Sequence, residues 1–137
     1  MAFLEKVLHA QVCAYLSWKY PKVLFNSDMA GVAGLTVGQA AKIARLRSSR
    51  GFPDLVIYEP NCRYHGLFIE LKREGEKLFK KDECTYKTPH LAEQAAIIHK
   101  LKTKGFEARF CIGFNAAVDL IDNYLSSENS LLNGKNF

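Results

Sequence analysis

The chain has 137 residues, 48% of them hydrophobic, with nine Phe, six Tyr and a net charge of +5. That length builds one domain around a single core, and the composition excludes a disordered or fibrous chain. No apolar run approaches the ~20 residues of a membrane span; Glu5, Lys6 and His9 interrupt any signal-peptide core, and the four scattered cysteines contain no CxxC pair, so a cytosolic protein with reduced thiols and no membrane partner is expected.

Residues 3–19 read as an amphipathic helix, with Leu4, Val7, Leu8, Val12, Tyr15 and Leu16 at helical spacing and Pro21 stopping it. Val23-Leu24-Phe25 is a short strand candidate, and the Gly-rich stretch from Asn26 to Gly38 a loop near the surface or a ligand. Gln39–Leu46 can form a short helix, broken by Ser48-Ser49-Arg50-Gly51. Two strand-length apolar runs follow, within Gly51–Tyr58 and Gly66–Lys72, joined by a loop over Glu59–His65. Residues 73–87 are polar, lysine-rich and aperiodic, which predicts an extended, mobile loop. Thr88-Pro89 is an N-cap followed by proline at the first helical position, opening a helix to about Lys104 that Gly105 terminates. Its inward stripe is Leu91, Gln94/Ala95, Ile98 and Leu101. Phe106–Phe114 alternates as a strand, and Asn115 caps a last helix to about Leu125. Residues 1–125 then form the domain and 126–137 a loose tail. This element order is that of an α/β domain, a mixed β-sheet flanked by helices.

The chemistry sits on the two central strands. Paired antiparallel, the start of one meets the end of the other, which brings Asp54 beside Glu70. Alternation then puts Lys72 on the same face as Glu70. Two carboxylates, with the backbone carbonyl of Leu71 as a third oxygen, can hold Mg2+ or Mn2+; the Lys72 ammonium can orient a water, and acting as its base would require desolvation or the metal to depress its pKa. A competing reading makes Asp54 a strand cap and Glu70–Lys72 a surface ion pair. Basic clusters flank the strands: Lys42, Arg45, Arg47 and Arg50, in the acid-free stretch 29–53, and Lys72, Arg73, Lys77, Lys80 and Lys81. They are either solvated faces or a surface that tracks phosphates, and their place on both sides of the acidic hairpin favours the second. A zinc set of Cys62, His65, Cys84 and His90 matches no standard ligand spacing.

The combination Pro53-Asp54, hairpin, Glu70-Leu71-Lys72 resembles the PD-(D/E)xK nuclease superfamily. Arg50-Gly51-Phe52-Pro53-Asp54-Leu55, Tyr64-His65-Gly66-Leu67-Phe68-Ile69-Glu70-Leu71-Lys72, His90-Leu91-Ala92-Glu93-Gln94 and Gly105-Phe106 together resemble the virus-type replication-repair nuclease (VRR-NUC) family over about residues 3–125. The resemblance implies a restriction-endonuclease-like fold and hydrolysis of DNA phosphodiesters with Mg2+ or Mn2+. It implies structure-selective cutting of branched DNA, such as a four-way (Holliday) junction, by a homodimer, without an organic cofactor. It carries a metal-site acid onto Glu5, which otherwise reads as a helix-start carboxylate favoured by the dipole. It carries a catalytic glutamine onto Gln94, otherwise an interface amide. His9, Gln11 and Asp28 fall near the same site. Lys42, Arg45, Arg47, Arg50, Lys77, Lys80 and Lys81 then contact DNA phosphates without reading sequence. The lysine-rich insert 73–87 is longer than in shorter family members. The alternatives are a non-catalytic nucleic-acid-binding module, a carboxylate-dyad hydrolase acting on sugars, and a plain interaction domain.

Overall fold

Both hydrophobic periods in the sequence resolve into regular elements. The computed structural model describes residues 2–28 and 35–126. The elements run α1 (Ala2–Lys19), β1 (Phe25–Ser27), α2 (Val37–Ala44), β2 (Leu55–Ile57), β3 (Leu67–Lys72), α3 (Pro89–Thr103), β4 (Glu107–Ile112) and α4 (Phe114–Leu125). The strands form one mixed sheet in the order β1-β2-β3-β4, antiparallel except for the parallel pair β3–β4, whose crossover contains α3. Most of the expected tail and the middle of the Gly-rich segment, 127–137 and 29–34, lie outside the described residues. Among the described residues no helix is long and apolar enough to cross a membrane.

Helices cover both sheet faces. Leu55, Ile57, Leu67, Ile69, Leu71 and Cys111 pack against Leu8, Val12 and Leu16 of α1 and Ala117, Ile121 and Tyr124 of α4. Each fully buried aliphatic side chain here contributes about 1.5–3 kcal/mol. On the other face Ile97, Ile98 and Leu101 of α3 meet Ala108, with Phe52, Phe68, Phe106 and Phe110 around them. In β3 this alternation assigns Ile69 and Leu71 to the α1/α4 core and leaves Glu70 and Lys72 on the α3 side.

Several boundaries differ from the sequence-based expectation. The strand expected at Val23–Phe25 is displaced to Phe25–Ser27, because Val23 N–H bonds back to the Tyr20 carbonyl and closes a turn after Pro21. The stripe of α1 is narrower than its apolar spacing implies, since Leu4 and Val7 are exposed. The helix expected at Gln39–Leu46 starts earlier, at Val37, because Thr36 and Gln39 form a reciprocal capping box. Asn115 does not cap α4. Gly113 holds the cap position at φ +87°, where its N–H bonds the Lys72 carbonyl, and Asn115 falls inside the first turn.

The insert 73–87 is folded rather than extended. Phe79 and Tyr86 pair across it, with rings stacked at 4.8 Å. Asp82 Oδ1 accepts from the backbone N–H groups of Cys84 (3.0 Å) and Thr85 (2.9 Å) to shape the tip.

Candidate active site

Strand register brings the acids together. Leu55 pairs with Ile69 and Ile57 with Leu67, so Asp54 stands opposite Glu70 one step beyond the paired residues. The Asp54 N–H donates to Glu70 Oε2 at 3.2 Å, and Lys72 Nζ lies 3.4 Å from Glu70 Oε1. Asp54, Glu70 and Lys72 therefore meet at one end of the sheet, as the spacing of their strands predicts. At the two ends of the β3–β4 pair, the Gly66 and Lys72 carbonyls accept from the N–H groups of Glu107 and Gly113. The odd-numbered residues consequently turn their backbone groups toward β2. The Leu71 carbonyl, past the last β2 pair, faces the Asp54 side of the sheet.

Helix α3 supplies the next group. Thr88 Oγ1 accepts from Leu91 N–H at 3.2 Å and Pro89 occupies the first turn, so the stripe starting at Leu91 faces the sheet. Gln94 lies on that stripe, 4% exposed, and its Nε2 donates to Glu70 Oε1 at 2.6 Å. Its Oε1 is buried without a hydrogen-bond partner. Gly51, at φ +84°, fits the preceding loop against this helix. A Cβ there would stand 3.0 Å from the Glu93 carbonyl and the Gln94 nitrogen.

Helix α1 contributes His9. It is 3% exposed, with Nε2 3.5 Å from Asp54 Oδ2 and Nδ1 2.7 Å from Ser27 Oγ. A carboxylate only accepts, so with Nε2–H directed at Asp54 the Nδ1 is left to accept from the Ser27 hydroxyl. Glu5 is half-buried one turn earlier on the same flank of α1. Gln11 is exposed. Asp28 lies beside Asp54, its N–H donating to the Asp54 carbonyl at 2.6 Å, and its carboxylate pairs with Arg47.

Electrostatics single out Glu70. Burial, and then the Asp54 carboxylate, push its carboxyl well above the usual range, with Lys72 pulling the other way. A second positive charge at the site would relieve that cost. Among the described residues no three His, Cys, Asp or Glu side chains form a metal cage. The oxygens available are the two carboxylates and the Leu71 carbonyl, a donor type suited to a hard cation that keeps several waters.

The basic residues divide into two groups. Arg47 and Arg50 line a cavity of about 460 Å3 between α2 and α3. Lys77 lines a second, of about 470 Å3, with Lys72, Arg73 and Lys87. His90 borders both, and Arg47 also borders the cleft that holds Asp54. Lys42 and Arg45 stay exposed at the end of α2, and Lys80 and Lys81 at the tip of the insert, outside these cavities. None of the four cysteines is in a disulfide, and Cys62 and Cys84 are exposed.

No family model and no curated protein matches the sequence. Among solved structures, a VRR_NUC domain protein superposes with a TM-score of 0.63 over 89% of this chain and 88% of its own, at 24% identity. The chain has a VRR_NUC fold. Within that fold the Asp54–Glu70–Lys72 cluster lies at one end of β3, with α1, α3 and the 48–54 segment around it.

Proposed function

We propose that the protein is a divalent-metal-dependent DNA endonuclease that hydrolyses phosphodiester bonds. The observation that carries this reading is the meeting of Asp54, Glu70 and Lys72 at one sheet end, with the Glu70 carboxyl raised by burial beside a second acid. The likeness to a VRR_NUC domain protein supports it. Asp54, Glu70 and the Leu71 carbonyl would hold Mg2+ or Mn2+, with Glu5 assisting from α1. When bound, the cation polarises a phosphoryl oxygen and acidifies a coordinated water.

The protein's own groups do the rest. Lys72 positions the attacking water and offsets the negative charge on the phosphoryl oxygens in the transition state. Gln94 anchors Glu70 through its amide N–H and offers Oε1 to a water proton. His9 fixes the Asp54 carboxylate. Arg47, Arg50 and Lys77 contact phosphates on either side of the cut, and Lys42, Arg45, Lys80 and Lys81 extend that contact.

The finer reading is selectivity for branched DNA, including four-way junctions, by a homodimer that makes two cuts. The test is a panel of junction, flap, duplex and single-stranded DNAs, incubated with Mg2+, with chelator, and with Mg2+ restored. Cleavage that follows the metal and favours the junction supports the proposal. Binding with no metal-dependent cutting of any member assigns the fold to a non-catalytic module instead.

A further inference from the structure

Helix α2 buries none of its residues, yet it is capped at its start and amphipathic. One side of it, Ala40, Ile43 and Ala44 with the adjoining Leu35, lines the 460 Å3 cavity rather than the core. The opposite wall carries Arg50, Ser49, His90 and the acid Glu93, and Arg47, held by Asp28, forms the edge shared with the Asp54 cleft. An apolar floor beside imidazole and guanidinium groups suits a nucleobase, whose N–H groups the Glu93 carboxylate can accept from, with its phosphate toward Arg50. Bases lie on aliphatic, imidazole and guanidinium surfaces, and phosphates take Arg forks. The volume falls within the ~300–1,000 Å3 of ligand pockets.

Resting on the nuclease reading above, we propose that this cavity is a subsite for one unpaired nucleotide of the substrate strand, seated next to the bond that is cut. A paired base cannot enter it without leaving its stack, which costs energy that an already unpaired base does not pay. The cavity therefore discriminates for DNA carrying an unpaired nucleotide at the cleavage point. Continuity supports the placement: Arg47 and Ser48 belong both to this cavity and to the Asp54 cleft, and Gly51 ties its wall to α3 beside Gln94.

The test fills the floor. Ala40→Leu combined with Ala44→Leu adds apolar bulk with little loss of helix propensity, on a helix that contributes nothing to the core. Binding is measured in chelator, where no cutting occurs, to a duplex and to the same duplex with one unpaired 2-aminopurine. The wild type should bind the second at least about tenfold tighter and change the 2-aminopurine emission. The filled variant should lose both effects while keeping its duplex affinity and its Mg2+-induced rise in Tm. Overturning results are an unchanged preference in the filled variant, or a wild-type protein with no preference and no emission change. A protein that cuts DNA with Mg2+ but shows no such preference removes only this subsite. One that binds no DNA removes the nuclease reading as well.

Discussion

Gln94 on α3 and Glu70 on β3 are joined by a buried 2.6 Å hydrogen bond, the amide of one donating to the carboxyl of the other. The bond clamps the crossover helix to the sheet at the carboxyl group whose ionised form is least favoured. A buried carboxyl held this way is costly to ionise in the absence of a cation, and that cost makes it sensitive to one.

Glu70 thus couples stability to pH. Its folded-state pKa is raised, so the folded protein holds a proton that the unfolded chain has released. Metal-free stability is full below the ordinary glutamate range and falls as pH climbs above it. Glu70→Gln removes this dependence. In urea denaturation at pH 8 without metal, Glu70→Gln should be more stable than wild type by more than about 1 kcal/mol, since one pKa unit is worth about 1.4 kcal/mol. The variant should gain no stability from Mg2+, whereas wild type should.

In the proposed metal site, His9 would act on the cation through Asp54. His9→Ala frees the Asp54 carboxylate to rotate, and loss of such an orienting partner costs about 10–100-fold in metal affinity. The Mg2+ concentration giving half-maximal cleavage should rise by that factor, with the rate at saturating metal less affected. Nitrogen-15 NMR of metal-free wild type should show the Nε2–H tautomer, since the Asp54 carboxylate facing Nε2 accepts rather than donates.

Gly51→Ala tests the seam between the 48–54 segment and α3. A side chain at φ +84° costs about 1–2 kcal/mol, and its Cβ would press on the Glu93–Gln94 backbone at 3.0 Å. Thermal unfolding should show at least that loss, together with reduced cleavage, because the displaced helix carries Gln94. A variant as stable as wild type would show that the seam yields freely.

Phosphate contacts make binding salt-dependent. Log affinity should fall linearly with log salt, and removing one contacting cation should lower the slope by about one. Arg50→Ala, at the cavity rim, and Lys77→Ala, in the cleft with Lys72, are the positions to compare by fluorescence anisotropy. A response flat in salt would assign these residues to solvated faces.

Much of this site was legible because strands are periodic. Asp54, Glu70 and Lys72 could be placed on one face from period-two alternation and an antiparallel hairpin alone, and Thr88-Pro89 marked where α3 begins. What escaped depends on contacts distant in sequence. His9 could be placed near the site, but not its burial or its partners Asp54 and Ser27. The available signal was its place next to Leu8 on the stripe that runs on through Val12 and Leu16, where a buried imidazole requires partners. Gly51 reads as a turn former, and only the approach of α3 explains its conformation. The insert looked formless because its order comes from the Asp82 side chain and the Phe79–Tyr86 stack, neither of which leaves a periodic trace. Asn115 is a strong cap by composition, yet Gly113 ended β4 and began α4 two residues sooner.

The decisive measurement is cleavage of an end-labelled four-way junction in Mg2+ by wild type, Asp54→Ala and Lys72→Ala, with junction affinity recorded for each. Wild type should cut, and both variants should lose about 100-fold or more of the rate while binding within about threefold of wild type. Either variant cutting at the wild-type rate would contradict a catalytic cluster at Asp54, Glu70 and Lys72.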